Sequence, residues 1–239
     1  KLGGQVNLAS VAPYKQETSQ VIRYLARAVE KAGVSVELGK KLTPELVEEL
    51  KPDTVIVATG ARPIKPTSIP GIDGENVVSS WEVLGGTSKA ALSGNIVIIG
   101  GGLVGCEVAD FLADTEDNTG AVPTKVTMLE MQPRMAIDGI DEVRHLLMQR
   151  LHEKGVEMIN NATVKEILAD GVVYTTPEGG EQSVHGAEFV ILALGSQSVD
   201  ELSEEIKSMV QEVHVAGDAK QVARILEATA GAAEIARSI

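Results

Sequence analysis

Residues 95–109 read NIVIIGGGLVGCEVA, and this stretch decides the fold. Ile96, Val97, Ile98 and Ile99 form a continuous apolar run, the pattern of a strand covered on both faces of a parallel sheet. Gly100, Gly102 and Gly105 follow it in G-x-G-x-x-G spacing, directly after the strand and opening a helix over 103–113. That context turns a common glycine pattern into a dinucleotide signal. Gly100 permits the tight turn, Gly102 lets the backbone approach a pyrophosphate, and Gly105 lets helix and strand pack closely. A helix starting at Leu103 and Val104 offers unpaired N–H groups and a partial positive charge to the phosphates.

The dinucleotide reading needs an acid at the end of the next strand. Residues 125–130, KVTMLE, supply one in Glu130, which lies 25 positions past Gly105. The usual separation is roughly 20 residues. The surplus falls in 114–124, DTEDNTGAVPT, read as a polar loop between helix and strand. A carboxylate there accepts hydrogen bonds from a ribose diol and repels a 2′-phosphate, which favours NAD(H). Arg134, close by, keeps NADP(H) open as the alternative.

Outward from this centre, the chain of 239 residues is long enough for one large α/β unit or two modest domains. It holds 24 Gly but only one Trp, three Tyr and two Phe, which suits parallel strands alternating with helices better than a β-sandwich. The formal charge of −13 argues against a nucleic-acid partner, whose phosphates require a basic face. The single cysteine, Cys106, excludes an internal disulfide and any cysteine-only metal site within these residues. No apolar run reaches the roughly 20 residues of a membrane span and no signal peptide opens the chain, so a cytoplasmic protein without a membrane partner is expected. The first residue is Lys1 rather than Met, which suggests processing or truncation.

Helix periodicity covers 19–32, placing Val21, Ile22, Leu25, Ala28 and Val29 on one face, with Gly33 as the stop. A short strand is expected at 34–38, a helix at 44–50 ended by Lys51-Pro52, and a buried strand at 53–58 broken by Thr59-Gly60. Residues 61–95 are linker-like, with a short amphipathic stretch at 81–84. Beyond the glycine turn, a helix at 141–154, a strand at 156–159, an antiparallel meander over 164–168, 172–175 and 182–185, and a buried strand at 188–194 are expected. A strand at 213–216 leads through Gly217-Asp218 to a helix at 223–237.

Three further segments carry a family resemblance. TVIVATG at 54–60, with Ala58, Thr59 and Gly60, resembles the strand and turn where two-dinucleotide-binding flavoproteins of the glutathione-reductase-like superfamily leave the FAD domain for the NAD domain. VHVAGD at 213–218, with Gly217 and Asp218, resembles the returning strand whose aspartate meets the flavin ribityl or pyrophosphate region. LGGQ at 2–5, with Gly3, Gly4 and Gln5, is similar to the segment that passes the flavin. Their order around 100–105 matches the superfamily over nearly the whole chain.

The resemblance implies an α/β fold in which a Rossmann-like NAD(P)-binding domain, 65–193, is inserted into a partial FAD-binding domain made of 1–64 and 194–239, with Gly195 at the return. The glycine turn that would bind the ADP half of FAD has no counterpart here, so weak FAD binding, or none, is expected of these residues alone. LGGQVNLAS, the approach through Lys51-Pro52-Asp53 and the ending GDAKQVARILEATAGAAEIARSI narrow the resemblance to the NADH:flavin oxidoreductases similar to 2,4-dienoyl-CoA reductase, enoate reductase and trimethylamine dehydrogenase. In that family an N-terminal barrel carries FMN and an iron–sulfur cluster. NAD(P)H gives hydride to FAD, and electrons pass on to cluster and FMN, implying an enoate- or enoyl-type substrate.

Glu107 falls where relatives carry a glutamate near the nicotinamide, against the plainer reading of an ordinary helix residue. Cys106 reads as a small buried apolar side chain. His145 and His152 share a helix without the carboxylates or cysteines of a metal site, and the acidic run at 200–205 reads as a solvated helix face. No catalytic side chain is expected, because hydride transfer depends on positioning. A stand-alone electron-transfer reductase of the ferredoxin- or rubredoxin-reductase kind, and a non-enzymatic NAD-binding module, remain the rival readings.

Overall fold

The computed structural model describes residues 1–86, 92–113 and 124–239, so the loop expected at 114–124 lies, apart from Thr124, outside the described residues. In chain order the elements are α1 (Val6–Ala9), α2 (Ser19–Lys31), α3 (Pro44–Leu50), β1 (Thr54–Val57), β2 (Ala61–Pro63), β3 (Val77–Ser79), α4 (Ser80–Gly85), β4 (Asn95–Ile99), α5 (Leu103–Leu112), β5 (Lys125–Leu129) and α6 (Asp141–Glu153). They continue with β6 (Glu157–Ile159), β7 (Thr163–Leu168), β8 (Gly171–Thr175), β9 (Glu181–His185), β10 (Phe189–Leu192), β11 (Ser196–Ser198), α7 (Leu202–Ile206), β12 (Glu212–Val215) and α8 (Ile225–Ser238). The chain divides into two units: Lys1–Val6, Ser19–Arg62 and Ser196–Ile239 form the first, and Asn7–Thr18 with Pro63–Gly195 the second.

The second unit is built on a five-stranded parallel sheet in the order β3-β10-β4-β5-β6. Val97 of β4 pairs with Val190 on one side and Thr127 on the other, so the glycine strand is central. Because side chains alternate across a pleat, the sheet feeds two cores. Ile96, Ile98, Val126, Met128 and Ile191 join Cys106, Val108, Leu147 and Leu151 under α5 and α6. Val97, Ile99, Leu129, Val190 and Leu192 face Ile167, Val172 and Tyr174 of the antiparallel layer β7-β8-β9. Each such side chain contributes about 1.5–3 kcal/mol when fully buried. The run Ile96–Ile99 has no solvent-facing position, which is why it lacks the polar alternation of a surface strand.

The stretch at 61–95 is more structured than its prolines suggest, since it contributes β2, β3 and α4. The start of α4 is fixed by a reciprocal cap, in which Glu82 N–H donates to Ser79 Oγ at 3.2 Å and Ser79 N–H donates to Glu82 Oε2 at 2.7 Å. β3 has too few residues to show periodicity, and its pairing with β10 makes it a strand.

The first unit holds a two-stranded parallel sheet, β1 beside β12, in register from Thr54–Glu212 to Val57–Val215. Val55 and Val57 pack on Val47 of α3 and on Ile206 and Val210. Thr43 caps α3 through Leu46 N–H and Pro44 stands in its first turn, while Lys51, at φ 47°, closes it at the end that the sequence anticipates. The strand expected at 34–38 does not form, and Val34, Val36 and Leu38 are exposed at 55, 45 and 60%. A strand needs a neighbour for its N–H and C=O groups. Among the described residues β1 has β12 along one edge and no strand along the other. In the same unit Ile56 is exposed, and neither the amphipathic α2 nor α8 buries a residue.

Candidate functional site: a dinucleotide turn with a buried ion pair

The turn after β4 shows why each glycine stands where it does. Gly100 has φ 103°, and a Cβ there would lie 2.4 Å from the carbonyl oxygen of Ala193. A Cβ on Gly105 would lie 2.0 Å from the carbonyl oxygen of Gly100, so the first turn of α5 rests directly on the end of the strand. Gly102 is different. Its backbone, φ −64° and ψ 179°, is open to any residue, and its Cβ would meet only the Asp138 carboxylate, no nearer than 3.6 Å. No packing constraint requires glycine at 102; a side chain there would project into open space at the N-terminus of α5. The residues present therefore fit a pyrophosphate.

Glu130, just past β5, is buried. Its Oε2 accepts Gly101 N–H at 2.5 Å and its Oε1 accepts Gln132 N–H at 2.7 Å. The carboxylate thus braces the turn, and each oxygen keeps a lone pair for a ribose hydroxyl. Leu103 N–H, the first donor of α5, is taken by Asp138 Oδ1 at 2.8 Å. Val104 is exposed beside it. Asp138 gave no signal in the sequence, because its partner lies 35 positions away.

Glu107 lies one turn further along α5 and is 8% exposed. Its Oε1 is paired with Lys15 Nζ, from the segment Asn7–Thr18 of the same unit. Burial pushes the Glu107 carboxyl above its ordinary range, Lys15 pulls it down, and Asp138 and Asp110 push it up again. Cys106, fully buried, has its thiol pushed up to about 12, chiefly by burial, and its Sγ lies 3.4 Å from the carbonyl of Gly101. A protonated thiol donating to a carbonyl is a packing group, as the sequence suggests.

Asp110, three residues after Glu107, is 1% exposed. Arg150 Nε donates to its Oδ2 at 2.9 Å, and Lys154 Nζ stands 2.8 Å from its Oδ1 while donating to its backbone carbonyl at 2.7 Å. This clamp ties α6 to α5. Gly195, at φ 86°, accepts Ile64 N–H at 3.0 Å where the chain leaves the second unit.

In the first unit, residues 213 positions apart meet where the two parallel strands end: Gln5 Nε2 donates to Asp218 Oδ2 at 3.0 Å. Asp218 Oδ1 accepts Ala223 N–H at 3.1 Å. Gly60, at φ 79°, lies against Gln5, so that a Cβ there would stand 3.8 Å from Nε2. Thr59 Oγ1 donates to the Val199 carbonyl, and Ala58 is exposed. Gly3, Gly4 and Gly217 all have positive φ. Outside the carboxyl ends of parallel strands is where open α/β sheets take ligands. These residues gather polar groups there, and the sequence holds no second G-x-G-x-x-G.

A parallel sheet whose central strand runs into a G-x-G-x-x-G turn and a helix is an α/β nucleotide-binding architecture. The chain belongs to the pyridine nucleotide-disulphide oxidoreductase family, whose model matches residues 4–220, and membership implies binding of FAD and NAD(P)H. It is 36% identical over 241 residues to the NADH oxidase of Thermoanaerobacter brockii, covering 100% of this chain and 36% of that one. It is 28% identical to the cinnamate reductase of Clostridium sporogenes, over 100% of this chain and 34% of that one. The solved 2-naphthoyl-CoA reductase in complex with 2-naphthoyl-CoA superposes with a TM-score of 0.89 at 26% identity, over 100% of this chain and 35% of that one. These are NADH:flavin oxidoreductase-like proteins, the branch that the sequence resembles. The chain spans about a third of the length of the curated relatives it matches. Among the described residues no helix is long and apolar enough to cross a membrane.

Proposed function

We propose that the second unit binds NAD(P)H, with NAD(H) preferred, and that the first unit forms part of an FAD site in a longer oxidoreductase. The observation that carries this is Gly102, glycine by no packing demand, between Gly100 and Gly105, which packing does demand. The amides at the start of α5 hold the pyrophosphate, Glu130 receives the adenosine ribose, and Glu107 with Lys15 lies toward the nicotinamide. When bound, NAD(P)H supplies a hydride, which the flavin accepts. The protein's own part is to bind, to orient and to keep the Glu107 charge compensated. Gly3, Gly4, Gln5, Ala58, Thr59, Gly60, Gly217 and Asp218 belong to the flavin side, and Gly195 ends the second unit where the chain returns to the first.

An open hollow of about 390 Å³ in the first unit, lined by Leu2, Ala26, Val29, Val34 and Val36 with the charged Arg27 and Glu30, leaves room for further chain to cover this face in the longer protein. The family resemblance implies that this longer protein carries FMN and an iron–sulfur cluster in an N-terminal barrel and reduces an enoate- or enoyl-type substrate. The names of the cinnamate and 2-naphthoyl-CoA reductases point to conjugated acids and their thioesters.

The test is the visible spectrum of the purified chain, with FAD and then NADH added, together with NADH fluorescence. A colourless protein that changes NADH fluorescence is expected. A flavin band that co-purifies and bleaches with NADH overturns the partial flavin site. Neither signal would reduce the glycine turn to a packing device.

A further inference from the structure

Lys15 reaches Glu107 from a turn with an unusual backbone. Tyr14, immediately before it, has φ 63°, a left-handed conformation that a bulky side chain rarely adopts. Such a residue persists only where its surroundings fix it. On the backbone, Lys15 N–H donates to the Ala12 carbonyl at 3.2 Å and the Lys15 carbonyl accepts Thr18 N–H at 2.9 Å. Tyr14 is 78% exposed and, among the described residues, joins no core cluster. Its neighbour is the Arg150 guanidinium, whose Cζ stands 4.6 Å from the ring centroid. Arg150 is in turn locked, by Nε and by a second nitrogen 2.8 Å away, to Oδ2 of the buried Asp110. Asp110 and Glu107 are three residues apart on α5, so one helix carries both the acid and the anchor.

We propose that Tyr14 is a positioning residue: its ring, seated on the Arg150 guanidinium, sets the turn that delivers Lys15 to Glu107. A cation over an aromatic face is attractive and directional, and here the cation cannot drift, because Asp110 holds it. The placing of Lys15 stands on this geometry, whereas its bearing on the nicotinamide rests on the reading of Glu107 given above.

The consequence is read at Glu107, which is faced by Lys15, Asp138 and Asp110. The full chain is labelled with 13C-carboxyl glutamate, and the Glu107 signal is identified by its loss in Glu107→Gln. Losing Lys15 removes the favourable charge and leaves burial and the two aspartates. The Glu107 titration therefore moves to higher pH in Tyr14→Ala, while Tyr14→Phe, which keeps the ring, titrates like the wild type. Tyr14→Gly suits the left-handed backbone and so remains folded without a ring; it is expected to follow Tyr14→Ala. Titrations of Tyr14→Ala and Tyr14→Gly that coincide with the wild type would overturn the proposal. NADH titrated into the same proteins keeps the two readings apart: a wild type that fails to bind NADH sinks the nicotinamide assignment and leaves the Tyr14 result standing.

Discussion

Asp138 accepts Leu103 N–H at 2.8 Å, so a carboxylate already occupies the first donor that the glycine turn would present to a phosphate. The contact stabilises the N-terminus of α5 through the helix dipole, and it sets a negative charge against an anionic ligand. Asp138→Asn keeps an acceptor for the amide and removes the charge. NADH is expected to bind several-fold more tightly, on the order of 1 kcal/mol for an exposed pair of charges. The gap between variant and wild type should narrow as salt screens it. Equal affinities at low salt, by fluorescence titration, would show that Asp138 does not oppose the nucleotide.

Gly102 and Gly105 separate binding from packing. Gly102→Ala places a methyl group where no protein atom stands closer than 3.6 Å, on a backbone that alanine adopts freely. Thermal stability should hold, or rise by about 0.4–1 kcal/mol, while NADH affinity collapses. Gly105→Ala drives a methyl group to 2.0 Å from the Gly100 carbonyl, and overpacking of this kind costs about 1–3 kcal/mol. Calorimetry and NADH titration of the two variants should therefore give opposite patterns.

The contrast between Ile96–Ile99 and 34–38 shows what sequence pattern can reveal. A strand buried on both faces, followed by a glycine turn and an acid, carries its whole context within 36 residues, and each part lies where the pattern puts it. The pattern at 34–38 is equally strand-like, but strand formation depends on a neighbour that pattern does not supply, and the segment stays irregular and exposed. Long-range polar contacts are illegible for a related reason. Nothing local marks Lys15 as the partner of Glu107, 92 positions away, or Arg150 as the anchor of Asp110, 40 away. Gln5 and Asp218 were legible only because a family resemblance placed both beside the flavin, and the structure joins them by a hydrogen bond.

Glu107 gives stability a defined pH dependence. Its carboxyl is raised above the ordinary 4.5 in the folded protein, because burial outweighs Lys15. The folded state therefore binds this proton more tightly than the unfolded state. The resulting stabilisation is complete below pH 4.5 and is lost as pH rises through the folded value. Glu107→Gln has no proton to lose, so relative to the wild type it should gain melting temperature toward neutral pH, with the difference levelling off below pH 4.5. A gap that widens on acidification would mean that the ion pair with Lys15 outweighs burial.

Glu130 has two roles that one substitution can tell apart. If it served only the ribose, Glu130→Gln would weaken NADH binding and leave the free protein untouched. Both oxygens, however, receive backbone N–H groups, from Gly101 and Gln132, inside a buried turn. Glutamine offers one carbonyl oxygen and turns an NH2 group toward the other donor. One N–H is left unsatisfied, at about 1–3 kcal/mol. The melting temperature should fall without any nucleotide present, and added NADH should restore less of it than in the wild type, because the turn that holds the pyrophosphate has loosened. A variant as stable as the wild type in the absence of nucleotide would assign Glu130 to the ligand alone.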